Sequence, residues 1–247
     1  MKLIINADDF GLVESVTKGI YDSITKGVVT STTQMMNTMS KELASLLIKK
    51  DSNLSVGLHI NITFGHPLTD CKSLLKNGIF IKPKDLVSDE IYDEDEIYQE
   101  IRAQYNEFLR LNNKKPTHLD SHLYIHQISE KVRRQVIRLA NEEKIPVRGY
   151  ENEYYNEVYF ERNFKVLKND NFSVLKEKFK KIILDNIDKE VMELMVHPGY
   201  ISKELLDISS YNEQRLLEEE VLLDDDIKTF LQENNVELIS YKDLERK

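Results

Sequence analysis

The chain has 247 residues, of which 31% are charged and 40% hydrophobic, enough to bury a full core without disulfides or a partner. Its 34 Lys and Arg against 43 Asp and Glu give a formal charge of −9, which excludes a surface built to wrap nucleic-acid phosphates. The single cysteine, Cys71, excludes an internal disulfide framework, and no apolar run approaches the roughly 18 residues of a membrane span, so a soluble, cytoplasmic protein without a signal peptide is expected.

The first β-like run, residues 3–6, leads straight into Asn6-Ala7-Asp8-Asp9-Phe10-Gly11. Two adjacent carboxylates are costly in a folded protein unless a cation or hydrogen bonds compensate them. Neighbours on an extended chain point in opposite directions, so one Asp can ligate a metal while the other polarises a water. The alternative is a solvated Asx turn in which Gly11 supplies a positive φ. Val16, Ile20 and Ile24 then recur at helical spacing up to Gly27. Residues 28–33 form a second, β-branched strand, and Ser40 is placed to cap a helix over 41–50. The third strand, 56–60, carries His59, which is either a hydrogen-bonded core histidine or a ligand. Residues 65–92, with Pro67, Gly78 and Pro83, fit neither period and predict a hairpin insertion or a lid.

Asp93 is placed to cap a long helix with the stripe Ile97, Ile101, Tyr105 and Phe108, and Glu96 to complete an acidic capping box. The fourth strand, 117–120, opens a segment holding His118, Asp120, His122 and His126. The first three share a face while the strand lasts, and His126 lies one helical turn beyond His122. Three of the six histidines within nine residues point to metal or catalytic chemistry. Ser129 caps the next helix, and residues 145–148 are a weaker fifth strand because Pro146 suits only a strand start. Residues 150–170 are rich in Tyr, Asn and Glu and, with 65–92, are expected to border a substrate groove. Ser173 starts a helix facing inward through Leu175, Phe179, Ile182 and Ile183. The sixth strand, 192–196, ends in His197-Pro198-Gly199, a sharp turn that would hold the ring rigidly. Residues 211–234 predict two helices broken near 224–226, and 236–239 a seventh strand.

Strand–helix alternation over one domain, residues 1–247, implies parallel strands with crossover helices. Length near 250 favours a distorted (β/α) barrel of about seven strands, TIM-barrel-like, over an open doubly wound sheet. Asp8, Asp9, His59, His122, Arg148 and His197 all fall at or just past strand C-termini, the active-site face of such barrels. One carboxylate plus two imidazoles leaves positions open for water and substrate, as a hydrolytic centre requires. A closed structural zinc site is disfavoured by the lone cysteine, and imidazoles suit Zn²⁺ better than Mg²⁺.

The segments at 6–11, 29–33, 57–59, 116–122 and 196–199, in this order, resemble the YdjC-like carbohydrate deacetylases, which include the chitooligosaccharide deacetylases. Arg215 and Tyr241 fall at matching positions in the tail, while Val13 stands where a Ser or Thr cap is common. The resemblance implies Asp9, His59 and His122 as ligands of a divalent metal, usually Mg²⁺, with Asp8 as general base and His197 as general acid. It also implies an acetylated sugar substrate and a homodimer. His126 is expected to touch substrate or add a ligand. Arg148 is expected to bind a substrate anion, to orient Asp8, or to make a surface ion pair. The tyrosines of 150–160 are sugar-stacking rings or loop packing. Two other readings stay open: a metal-dependent phosphoesterase on a similar barrel, and a non-catalytic sugar-binding relative.

Overall fold

The computed structural model describes residues 1–86 and 88–247. β1 (Lys2–Phe10) is longer than the expected run because Asp8 and Asp9 lie within it. It is followed by α1 (Glu14–Lys26), β2 (Ser31–Gln34), α2 (Lys41–Lys50) and β3 (Val56–Ile60). Val28 and Val29 lead into β2 and do not belong to it; the Val28 N–H is taken up by the Leu222 carbonyl. Ser40 precedes α2 without a side-chain capping bond, and Val13 leaves α1 equally uncapped.

Within 65–92, β4 (Leu75–Lys76) and β5 (Ile79–Phe80) form a hairpin whose Asn77-Gly78 corner takes φ of 56° and 79°. Two positive φ values give the tight turn that matches strand twist. α3 (Glu94–Asn112) is capped by Asp93, as expected. The reciprocal half of the capping box does not form: Glu96 accepts from the Ser73 N–H at 2.7 Å, while the Asp93 N–H donates to Ser73 Oγ at 2.9 Å. The 71–75 segment thus takes both groups.

β6 (Leu119–Ser121), the one-turn α4 (Ile125–Ile128) and α5 (Glu130–Glu143) follow, with Ser129 capping α5 through the Val132 N–H. The expected fifth strand reduces to a single bridge from Val147 to Leu119. Pro146 offers no N–H and Gly149, at φ 69°, turns the chain away. A further strand, β7 (Tyr159–Glu161), forms inside the stretch read as irregular and pairs with β8 at the opposite edge of the sheet. α6 (Phe172–Asp185) starts one residue ahead of Ser173, because Asn171 caps the Val174 N–H at 3.1 Å. β8 (Val191–Val196), α7 (Lys203–Ile208), α8 (Glu213–Leu223), α9 (Asp225–Glu233) and β9 (Glu237–Leu238) complete the order. The break between α8 and α9 is where the acidic run predicts it.

One parallel sheet of seven strands has six in the order β6-β3-β2-β1-β8-β7, with β9 as the seventh beside β1. β9 pairs with Lys2 and Leu3 of β1, ahead of the residues that pair with β2. The sheet curls into a half-barrel with the helices around it, so the barrel expectation holds in its distorted form. All strand C-termini point to one end, which gathers the polar residues following them.

The half-barrel interior is tightest where β3 passes β6. A Cβ built on Gly57 would lie 2.6 Å from the His118 ring and 2.8 Å from its carbonyl oxygen. His118 cannot yield, because it is fully buried and stacks on Tyr241 with centroids 3.6 Å apart. Gly57→Ala should lower unfolding stability by about 1–3 kcal/mol through overpacking, read as a reduced denaturant midpoint; an unchanged midpoint would show that the ring has room to move.

Candidate active site

The β1–β2 register slips at the site: Ala7 faces Thr32 and Phe10 faces Gln34, so β1 holds one extra residue. Asp9 absorbs the bulge with a φ of 72°, a conformation few non-glycine residues adopt. The strict alternation expected for Asp8 and Asp9 therefore fails. Both carboxylates line the same cavity, of about 460 Å³.

Asp9 is the meeting point. Its Oδ1 lies 3.2 Å from His59 Nε2 and 3.0 Å from His122 Nδ1, and its Oδ2 accepts from Arg215 Nη2 at 2.6 Å. His59 stands opposite Asp120 in the β3–β6 register, and its Nδ1 lies 2.7 Å from Asp120 Oδ1. That contact fixes the ring and aims Nε2 at the cavity, where the buried nitrogen has no hydrogen-bond partner. A carboxylate–histidine pair with one free imidazole nitrogen is the usual outer support of a metal ligand. Two donors of an ion bound at about 2.1 Å stand about 3.0–3.4 Å apart. Both contacts to Asp9 match that spacing and the three donor atoms lie within 4.8 Å of one another, so Asp9, His59 and His122 fit a divalent cation. Burial alone would lower the His59 pKa, but Asp120, Asp9 and Asp8 reverse this and raise it to about 10. Burial opposes ionisation of Asp9 as well, yet His122 and Arg215 hold its carboxyl well below the usual range.

Asp8, beside Asp9 on the same cavity, is held by Arg148. The guanidinium grips it from both sides, at 2.7 Å to Oδ2 and 2.6 Å to Oδ1, and Asn6 Nδ2 adds a bond to Oδ1 at 2.9 Å. Arg148 also meets Asp120 Oδ2 at 3.0 Å and donates Nε to Glu193 Oε1 at 2.8 Å; Glu193 accepts the Tyr241 hydroxyl in turn. Burial raises the Asp8 pKa, but Arg148 outweighs it and leaves the carboxyl at about 2.

His197, just past β8, faces the same cavity. Its backbone N–H donates to Glu218 Oε2 at 2.6 Å, and its ring meets Tyr211 edge-on at 5.7 Å. Burial lowers its pKa to about 4 despite the charges on Asp8 and Asp9. The structure thus brings Asp8, Asp9, His59, His122 and His197 to one cavity.

It does not bring His126 and Arg148 there. Both side chains are fully buried behind the wall, so neither presents a surface to substrate. For Arg148 burial excludes the surface ion pair and leaves the orientation of Asp8. His126 bonds Ser121 Oγ through Nδ1 and the Arg148 carbonyl through Nε2 at 3.2 Å, and burial lowers its pKa to about 3. The tyrosines of 150–160 also miss the cavity. Tyr150 packs on His126 and Arg133, Tyr154 lies beneath Lys144, and Tyr155 beneath Arg246. The rings lining it are Phe64, Tyr124 and Tyr211. The clasp of Arg215 on Asp9, the seat of Glu218 under His197 and the grip of Asp120 on His59 were not assigned from sequence. One signal was available: α8 buries Arg215, Glu218 and Glu219, charges on the face a surface helix would fill with leucine.

A cation entering between Asp9, His59 and His122 must displace the proton that His59 holds. Binding of a divalent ion is therefore expected to release about one proton near neutral pH and to tighten as pH rises. Calorimetry in two buffers of different ionisation enthalpy measures this; no proton release would show that His59 carries no proton for the ion to displace. Asp120→Asn should weaken the same binding by about 10–100-fold, the usual cost of losing an outer-shell carboxylate.

The protein-family comparison matches the YdjC-like protein model over residues 2–233. The chain is 40% identical over 252 residues to carbohydrate deacetylase 2 of Listeria innocua serovar 6a, covering all of both chains. It is 33% identical over 263 residues to the chitooligosaccharide deacetylase of Proteus mirabilis, covering 98% of each. A solved structure from Enterococcus faecalis V583, provisionally described as a cellobiose-phosphate cleavage protein, superposes with a TM-score of 0.83 at 25% identity, covering 98% of this chain and 97% of that one. Matched along nearly its whole length in sequence and in fold, the chain belongs to the YdjC-like family.

Proposed function

We propose that this chain is a metal-dependent carbohydrate deacetylase, a hydrolase that cleaves the acetamide C–N bond of N-acetylated sugars such as chitooligosaccharides. The observation that carries the proposal is the convergence of Asp9, His59 and His122 beside Asp8 in one cavity. The names of the relatives at 40% and 33% identity support it.

A divalent cation held there would polarise the acetyl carbonyl and acidify a water. The chain's residues divide the remaining work. Arg148 fixes the direction of Asp8 and keeps it ionised, so Asp8 can take a proton from a water that is already acidic. Asp9 is clasped by Arg215 and His59 by Asp120, so both ligands are set before substrate arrives. His197 lines the same cavity and would protonate the departing amine. Its pKa of about 4 leaves the ring neutral in the resting protein, so it delivers a proton that reaches it during turnover.

The imidazole pair favours Zn²⁺ on ligand type, while the family resemblance favours Mg²⁺. We further propose that residues 1–247 act as one catalytic unit bordered by the 65–92 segment, which brings Lys82 and Lys84 to the cavity. The free, buried Cys71 supports action in the reducing cytoplasm. Among the described residues no helix is long and apolar enough to cross a membrane. A homodimer rests on the family resemblance alone.

The phosphoesterase reading draws support from Lys82, Lys84 and Lys165, which line the cavity and would suit a phosphate. The same lysines would accommodate a phosphorylated acetyl sugar. Acetate and phosphate release from N-acetylglucosamine oligomers and their 6-phosphates, with and without chelator, separates the two. Chelator-sensitive acetate release is expected. Phosphate without acetate would establish the second reading, and neither product with any added metal would overturn both. Asp8→Asn is expected to reduce acetate release by about 100-fold or more while the cation still binds; loss of the cation would mean the two aspartates have exchanged roles.

A further inference from the structure

Two consecutive residues at the cavity mouth, Leu123 and Tyr124, hold φ of 52° and 57°. Left-handed backbone is unfavourable for both, and glycine would make this turn without strain. Neither residue eases the turn, and Leu123 adds nothing to the core, since it is 46% exposed. Both nevertheless line the cavity.

The device that imposes the turn is His126. Its backbone N–H donates to Ser121 Oγ at 3.2 Å, its Nδ1 bonds the same hydroxyl, and its Nε2 is fixed on the Arg148 carbonyl at 3.2 Å. Ser121 ends β6 and His126 lies in α4, so the clamp closes the four residues between them into a reversal. His122 points to Asp9 from the first position, and the next two side chains line the cavity, Leu123 exposed and Tyr124 half-buried. Tyr124 is seated in turn by Phe160, with ring centroids 6.3 Å apart, and by Arg162 over its face at 5.5 Å. Phe64 stands across the cavity, against His122 at 6.4 Å. Strain held in place by its surroundings, beside the reacting groups, marks residues kept for what they face.

We propose that Leu123 and Tyr124 form the sugar-recognition wall of this site. They meet the apolar face of a pyranose ring whose acetamide reaches the Asp9, His59 and His122 cluster, with His126 as the positioning residue that holds them there. The occupant rests on the deacetylase reading above; the wall itself rests on backbone and burial. A flat C–H face against an aromatic and an aliphatic side chain is apolar contact of the kind carbohydrates make while their hydroxyls stay hydrated.

The test is binding, read apart from turnover. Calorimetric affinity for the N-acetylglucosamine dimer and trimer is measured on the metal-loaded wild type and on Leu123→Gly, with melting temperatures alongside. Glycine removes the strain and the side chain together. The melting temperature is expected to hold or rise while the dissociation constant increases about tenfold, the size expected for one apolar side chain uncovered. Leu123→Met, which keeps the apolar area, is expected to restore wild-type affinity. Unchanged affinity in Leu123→Gly would overturn the proposal, as would weakened affinity with a lowered melting temperature, which would assign the residue to folding. A wild type that binds neither oligomer would overturn it too. Sugar binding without acetate release would instead remove the deacetylase reading and leave the wall standing.

Discussion

The structure depends on one buried guanidinium. Arg148 is fully enclosed and meets Asp8, Asp120 and Glu193 at hydrogen-bond distance. An isolated charge at that depth is strongly unfavourable, and its removal from a paired set leaves its partners uncompensated. The cluster therefore holds as a unit. It joins β1, β6 and β8 in the half-barrel interior, and every group in it has a second engagement. Asp120 holds His59, Glu193 accepts Tyr241, and Asp8 opens on the cavity. The catalytic geometry is thus set by the same ion pairs that fill the interior.

A second guanidinium works in parallel at the rim. Arg215 clasps Asp9, and Glu218, one helical turn later on α8, takes the backbone N–H of His197. One helix fixes a candidate ligand and the candidate acid together. The two aspartates are neighbours in sequence, yet each answers to a different arginine because the β1 bulge points them to different partners. Burial alone would have raised both pKa values, and the two arginines are among the groups that bring them down.

Most of this was legible where a local pattern decides the outcome. The helices over 14–26, 41–50 and 94–112 follow from spacing and caps, and the strand ends bearing His59, His122 and His197 are where the sequence places them. The failures share a cause, which is that distant partners chose the result. Residues 145–148 read as a strand but serve as a turn, and Tyr159–Glu161 took the edge because β8 was free to pair with it. Glu96 was drawn from its capping box by Ser73. His126 and Arg148 carry residue types suited to contacting substrate, and only packing reveals that they stand one layer behind it. The opposite alternation expected of Asp8 and Asp9 failed at a single inserted residue, which composition and periodicity do not register.

The connection of Tyr241 to Glu193 and Ser31 has a consequence for how the molecule comes into being. Asp8 waits for a partner 140 residues away, Asp9 for one 206 residues away, and Ser31 for a backbone N–H 210 residues away. During synthesis at about 5–20 residues per second, the early strands emerge many seconds before the groups that neutralise their carboxylates. The charged interior therefore closes only after Arg148 and Arg215 have both been made. Until then Asp8 and Asp9 lack the cations that offset their burial.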